Sequence, residues 1–263
     1  MVKVVTWNVN SLRSALKKGY EDEIAAIQPD VVMLQEVRAL PEQLPAHIAS
    51  PTDWHAAWHP AEKKGYSGVG VMSRHPIEVL GTGMTGAGGE YEADPEGRVL
   101  RVRTAGMQLV CTYLPSGTTG GPRQTFKEAW MAEWRAWLQQ LLPLNEPVIV
   151  AGDLNIAHTA NDIHNPTGNK NNSGFLPHER DFFTALLSDG WTDALRALLG
   201  DQKGPYTWWS MRGRARELDR GWRIDYMLCN PAAAARLEAI EIRREAGITI
   251  SDHAPQILTL SDP

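Results

Sequence analysis

Only two cysteines, Cys111 and Cys229, occur in the 263 residues, and each lies within an apolar run. So few cannot staple a fold; they imply buried free thiols and a reducing compartment. No stretch approaches the roughly 18 consecutive apolar residues of a membrane-spanning helix, so no membrane partner is expected. The amino terminus enters VKVVTWNV without the basic region, apolar core and small-residue cleavage site of a secretory signal, and the expected location is cytoplasmic. No GxGxxG links a strand to a helix, since GYSGVGVMSR leads into a strand, and a dinucleotide-binding unit loses its support. Zinc motifs are missing as well. His55 and His59 in WHAAWH have helical i,i+4 spacing but lack the glutamate of HExxH, which leaves them surface or packing roles. Nor is positive charge in excess: the net charge of −5 argues, over the whole chain, against contacts to nucleic-acid phosphates.

What is present describes a large globular core, with 43% hydrophobic and 22% charged residues. No linker or internal repeat divides the chain, so residues 1–263 read as one domain, and no heptad suggests assembly beyond a monomer. The runs VKVVTWN, VVMLQE and PVIVAGDLN each read as a buried strand ending in a carboxylate or carboxamide. Strands are expected at 2–9, 31–37, 68–74, 98–104, 108–114, 147–155, 224–230 and 254–260. Helices are expected at about 16–28, between Arg123 and Leu142, near 177–188 and shortly after Trp191. In the second of these, Phe126, Trp130, Trp134, Trp137 and Leu141 recur at helical spacing and form a stripe that packs into the core. Neighbouring strands between 68 and 114 favour antiparallel pairing, so two packed sheets flanked by helices fit better than a doubly wound parallel sheet.

If those strands lie side by side, their polar tips converge on one rim. Glu36 with Asn8 makes a reasonable magnesium pair, because Mg²⁺ takes one or two carboxylates and keeps several waters. Asp153 and Asn155, two apart on an extended chain, share a face, so one side chain can handle water while the other donates to developing charge. GDLN taken alone is equally a turn after a strand. His253 follows Asp252 and has Asp225 available from another strand; a carboxylate partner raises an imidazole pKa and fixes its tautomer. That pairing permits a protonated His253 that binds phosphate or a neutral one that acts as a base. Tyr113 ends the run CTYLPSG, where a tyrosine is usually packing but has a phenol to donate. The segment Arg212 to Arg223 (RGRARELDRGWR) carries five arginines against Glu217 and Asp219, a local +3 that alone reads as a solvated loop.

The ordered set TWNVNSLR, DVVMLQEV, GYSGVGVMSR, CTYLPSG, VAGDLNIAH, HNPTGNKNNSGFLPHER, GWRIDYML and SDHAP resembles the exonuclease III family of abasic-site endonucleases, within the DNase I-like phosphoesterases. The match runs over essentially the whole chain. The resemblance implies an α/β fold, a four-layer sandwich of two mixed sheets covered by helices on both outer faces. It implies Mg²⁺ as cofactor, with Mn²⁺ able to substitute, held by Asn8 and Glu36, with Asp153, Asn155, Asp252 and His253 lining the same cluster. Tyr113 matches the family's active-site tyrosine, Asp153 the proton donor or acceptor, Asn155 the transition-state stabiliser, and Asp225 with His253 the catalytic dyad. Asn165, Asn169 and Asn172 match positions that contact the substrate backbone or shape the pocket. Trp208, Trp222 and Ile224 match an apolar pocket for a flipped abasic sugar, and the arginine segment, Arg212 included, gains phosphates to track.

Three positions depart from the pattern: Asn10 stands for an aspartate carried by some members, Ser116 for an asparagine or glutamine, and Arg212 for a methionine that some relatives insert into DNA. The implied partner is double-stranded DNA with abasic sites or 3′ ends. The implied reaction is hydrolysis of the phosphodiester 5′ to an abasic site, with 3′–5′ exonuclease and 3′-phosphodiesterase activity beside it. The competing readings are a related phosphoesterase acting on a non-DNA substrate and a catalytically inactive DNA-binding protein.

Overall fold

The computed structural model describes residues 1–118 and 120–262. Its strands, in chain order, are β1 (Val2–Asn8), β2 (Val31–Gln35), β3 (His55–His59), β4 (Val69–Ser73), β5 (Glu78–Thr82), β6 (Val99–Thr104), β7 (Met107–Tyr113), β8 (Val148–Asp153), β9 (Thr192–Asp193), β10 (Asp225–Cys229), β11 (Leu237–Ile242) and β12 (Gln256–Leu260). They form two six-stranded sheets, ordered β11-β12-β1-β2-β4-β3 and β5-β6-β7-β8-β10-β9. Both are mixed: β1 runs parallel to β2 and β7 parallel to β8, while the other neighbours are antiparallel.

Continuous apolar runs form the central strands because both faces of each sheet are covered. Side chains alternate between faces. Val4, Val31 and Met33 meet Leu109, Cys111, Ile149 and Met227 in the layer between the sheets. Their neighbours Val5, Val32 and Leu34 turn outward under the helices Leu12–Leu16 and Tyr20–Ile27. On the opposite outer face, Val148, Val150, Tyr226 and Leu228 lie under the helices Gly121–Leu138 and Pro177–Asp189, where Trp130, Trp134, Trp137 and Leu141 form the expected stripe. Truncating one of these buried tryptophans would cost about 3–5 kcal/mol. Cys111 and Cys229 are free and buried in the middle layer.

Two local expectations fail. The helix expected over 16–28 is broken at Gly19, whose φ of 99° turns the chain between its two pieces. WHAAWH, expected to lie in a loop region, contains strand β3: it pairs with β4 at a sheet edge, and tertiary pairing overrides the helical spacing of the two histidines. Among the described residues no helix is long and apolar enough to cross a membrane.

Candidate active site

Strand polarity gathers the polar tips. β1 and β2 run in parallel and end together, with Asn8 opposite Gln35 and Glu36 following. In the other sheet β7 and β8 also end together, with Tyr113 opposite Asp153, and antiparallel β10 begins there, setting Asp225 opposite Asp153. Two carboxylates directly opposite across a ladder repel. His253 sits between them, with Nδ1 3.0 Å from Asp225 Oδ2 and Nε2 3.8 Å from Asp153 Oδ2. The loop before β12 delivers it, held by Trp7 Nε1 donating to the His253 carbonyl (2.8 Å) and by Ser251 Oγ, which accepts from the His253 amide and donates to the Asn8 carbonyl.

Local backbone strain aims several of these groups. Glu36 and Asn155 adopt φ of 51° and 50°, in the left-handed region that non-glycine residues avoid. Asn155 therefore does not continue the strand. Its amide donates to Asp153 Oδ1 (2.9 Å) and its Nδ2 to the Leu114 carbonyl (2.8 Å), so a tight turn, not strand alternation, brings it beside Asp153. Gly152 is required just before: a Cβ there would lie 1.8 Å from the Thr112 carbonyl oxygen.

Both oxygens of Glu36 are engaged. Oε1 accepts from Asn8 Nδ2 (2.8 Å) and Oε2 from Arg38. Asn8 Nδ2 also donates to Asp153 Oδ2 (2.9 Å), while its Oδ1 accepts from the Asn10 amide (3.0 Å). The Asn8 oxygen thus faces away from the carboxylates, which its nitrogen bridges. Asp252 accepts from Asn10 Nδ2 and Trp208 Nε1.

Electrostatics separate the acids and the base. Burial drives the Asp153 pKa up to about 8; His253 opposes the rise and the Asp225 and Glu36 carboxylates add to it. Burial acts to lower the His253 pKa, but Asp225, then Asp153, outweigh it and push the value up to about 10. Burial raises the Tyr113 phenol well above its ordinary value, reinforced by Glu36. Asp252 moves the other way: burial opposes, yet His253 and its two hydrogen-bond donors hold it below the usual carboxylate range.

Glu36, Asp153 and His253 place ligand atoms within 4.8 Å of one another, the geometry of a cation site. A protonated imidazole has no lone pair to give, so the donors left are two carboxylates beside open cleft. This set fits a hard divalent cation that retains waters.

A cleft of about 1020 Å³ opens over the cluster. At one end lie Trp208, Trp222 and Ile224, packed with Ile163 and Phe175; Trp208 and Trp222 meet edge to face at 6.0 Å. Short bridges link Trp208 to both Trp222 and His253, so the apolar pocket and the polar cluster share backbone. At the other end stand Lys63, Tyr66, Glu96, Arg98 and Arg123. Arg98 is buried, stacks on the Tyr113 ring at 4.7 Å and donates to Glu96, Tyr66 Oη and the Tyr113 carbonyl. Sequence reasoning missed this group; its one signal was an arginine abutting an apolar strand, in EGRVLRV.

Other expected residues distribute unevenly. Asn172 lines the cleft, whereas Asn165 and Asn169 do not: Asn165 caps the short helix Pro166–Asn169, and Asn169 and Asn172 extend that hydrogen-bonded chain. The arginine segment is less basic than its sequence. Arg223 is fully buried and paired with Asp162 at 2.6 Å, Arg216 donates to the Ile248 carbonyl and Arg214 pairs with Glu217. Arg212 and Arg220 remain exposed, and Arg212 lies outside the cleft lining.

Comparison with known proteins agrees with this geometry. The model of the Endonuclease/Exonuclease/phosphatase family matches residues 5–253. The chain is 37% identical to the DNA repair nuclease APEX1 of Danio rerio, covering 99% of this chain and 82% of that protein. It is 36% identical to an exodeoxyribonuclease of Bacillus subtilis, over 99% of this chain and all of the relative. Among solved structures, a 3′ phosphatase from Neisseria bound to product DNA hairpin superposes with a TM-score of 0.90 at 28% identity, with both chains fully covered. A carboxylate cluster that could hold a metal ion at convergent strand ends, two mixed sheets under helices and similarity along the full length place the chain in the Endonuclease/Exonuclease/phosphatase family, as an exonuclease III-like AP endonuclease.

Proposed function

We propose that the protein is a Mg²⁺-dependent, monomeric DNA repair nuclease that hydrolyses the phosphodiester 5′ to an abasic site. The observation that carries this reading is the continuity of the Trp208–Trp222–Ile224 pocket with the Glu36–Asp153–His253 cluster in one cleft. An apolar pocket of that kind takes a sugar flipped out of the duplex, and a sugar without a base enters at the least unstacking cost. With the sugar there, its 5′ phosphate falls at the cluster.

Hydrolysis needs a water to attack phosphorus while the bond to the upstream O3′ breaks. Products are a 3′-hydroxyl and a 5′-deoxyribose phosphate. Glu36 and Asp153 would hold a divalent cation, whose chemistry when bound would be neutralisation of phosphate charge and support of the ionised Asp153 carboxylate. As a carboxylate, Asp153 accepts the proton of the attacking water, and the leaving O3′ takes its proton from solvent. His253, kept protonated by Asp225, binds a phosphate oxygen electrostatically, which favours one of the two roles its sequence context permits. Asn155 spends one amide hydrogen on Leu114 and has a second for the transition state. Tyr113, its phenol held neutral, is a donor to phosphate throughout the working pH range.

Exonuclease and 3′-phosphodiesterase action on 3′ ends would use the same cluster, and the similarity to the Neisseria 3′ phosphatase supports that companion activity. The test is cleavage of a labelled duplex carrying one abasic-site analogue beside an undamaged duplex with a recessed 3′ end, in Mg²⁺ and in EDTA. Metal-dependent incision at the analogue is expected. Degradation confined to the recessed end would make the protein chiefly an exonuclease, and cleavage of neither would turn the reading to a non-DNA phosphoester.

A further inference from the structure

Beneath the cleft, a lysine interrupts the apolar stripe of the helix Gly121–Leu138. Lys127 is fully buried, one turn before Trp130, and its partner Glu179, from the helix Pro177–Asp189, is fully buried too. Their charges meet at 2.6 Å. A buried ion pair is weak support for stability, since apolar replacement of both partners is often neutral, so its presence asks what else it does.

Its remaining bonds answer. Lys127 Nζ donates to the carbonyl of Asn155 (2.9 Å), the residue held at φ 50° beside Asp153. Glu179 Oε2 accepts from the amides of Gly174 (2.6 Å) and Leu176 (3.0 Å), and Oε1 accepts from Gln124 Nε2 (3.2 Å), whose own oxygen accepts from Ser173 Oγ (2.7 Å). Gly174 in turn accepts from the Ala157 amide (2.7 Å), and it packs so closely that an added Cβ would lie 3.1 Å from the Asn155 oxygen and 3.2 Å from Trp222. One ion pair therefore ties together two backbone segments, at Asn155 and at 173–174, that pack against each other and both line the cleft.

We propose that Lys127 and Glu179 are positioning residues for catalysis: they hold the strained Asn155 turn and the 173–174 wall in register, so that Asn155 and the Trp222 pocket act on one phosphodiester. The inference rests on the role proposed for Asn155. A charge-assisted bond to a carbonyl is well suited to the task, because left-handed backbone persists only where its surroundings over-determine it. Misplacing a transition-state donor by about 1 Å costs up to about 10²-fold in rate.

The test removes both charges together, because Lys127→Met alone would strand a buried carboxylate and endanger folding. Lys127→Met/Glu179→Gln keeps an oxygen for Gly174 and Leu176 and loses the tie to Asn155. Single-turnover incision of the abasic duplex in Mg²⁺ and duplex affinity in EDTA are measured for this variant, for Asn155→Ala and for the triple variant, with circular dichroism to show folding. The expected result is a rate loss of about 10- to 100-fold, affinity within about twofold of wild type, and no further loss when the charges are removed from Asn155→Ala.

Equal losses with and without Asn155 would overturn the proposal and reduce the pair to a structural role. So would an unchanged rate in the double variant while Asn155→Ala is impaired, an outcome that leaves the proposed function intact. An unimpaired Asn155→Ala would sink the assigned role of Asn155 and this inference together. If the double variant fails to fold, Lys127→Arg decides: the longer cation preserves charge and shifts the Asn155 carbonyl, so normal affinity with normal rate would contradict the proposal.

Discussion

Two clusters of buried charge meet the GWRID segment, one at Arg223 and one at Asp225, and have opposite electrical characters. In one, Asp162 and Asp193 face Arg223 and Arg196, two carboxylates for two guanidiniums. Burial would raise the Asp162 pKa, but Arg223 and Arg196 overcome it and hold the carboxyl well below the ordinary range. In the other, Glu36, Asp153, Asp225 and Asp252 gather around one imidazole and the half-buried Arg38, and Asp153 is driven up to about 8. The balanced cluster is finished and ties the Trp222 segment to the loop at Asp162. The unbalanced one is short of positive charge, and a cation with a phosphate completes it. Carboxylate-rich burial alone does not mark a site; uncompensated charge does.

The sharpest way to break the comparison is to remove one acid from each cluster. Asp153→Asn should lower turnover by about 10²-fold or more while duplex affinity in EDTA persists, because acid–base help of that size is lost. Unchanged turnover in a rapid-quench assay would refute the role. Asp162→Asn should instead destabilise by about 3 kcal/mol in urea titrations at pH 7, since it leaves two arginines short of a partner, with turnover per folded molecule preserved.

The two clusters should also respond to pH with opposite signs. Asp162 has a folded pKa below its unfolded one, so its stabilisation is present above the ordinary aspartate value near 3.9 and is lost as pH falls through the folded pKa. Folded Asp153 keeps its proton to about pH 8, whereas the unfolded residue releases it near 3.9, so the folded state binds more protons in between and stability falls as pH rises. His253, raised to about 10, stabilises fully below its unfolded value near 6.5 and loses that contribution as pH rises through 10. Denaturant midpoints from pH 3 to 10 in EDTA, for wild type and for both asparagine variants, check these slopes.

A smaller effect separates pocket from cluster. Trp222→Ala should reduce abasic-site incision by about 10-fold, the scale of a lost apolar contact, and alter 3′-end digestion less. Equal losses on every DNA substrate would count against a sugar pocket. Smallest of all, Asp153→Asn should stabilise the protein in EDTA by about 1 kcal/mol at pH 8 and by little at pH 4, because it relieves the crowded acids. A destabilised variant at pH 8 would contradict the charge imbalance.

Legibility from sequence tracked environment. The runs ending in Asn8, Glu36 and Asp153 were readable because central strands buried on both faces are unbroken in apolar residues, and the polar residue that ends each run is conspicuous. Edge strands β3, β5 and β11 were not, since their half-exposed faces admit His55, Glu78 and Glu241 and blur the pattern. Alternation along an extended chain puts Asn155 beside Asp153, whereas in the structure a left-handed turn brings it there. Arg223 counted as a surface charge until its partner Asp162, 61 residues away in sequence, took it inside. Lys127 was invisible amid tryptophans because a buried lysine is recognisable only with Glu179 in view.

The central claim, that uncompensated carboxylates at the strand ends are completed by a cation, is tested most directly by calorimetric titration of Mn²⁺ into the wild type, Glu36→Gln and Asp162→Asn proteins at pH 7. The account predicts one saturable site in the wild type, retained in folded Asp162→Asn and lost in Glu36→Gln. Undiminished binding in Glu36→Gln, or none in the wild type, would contradict it.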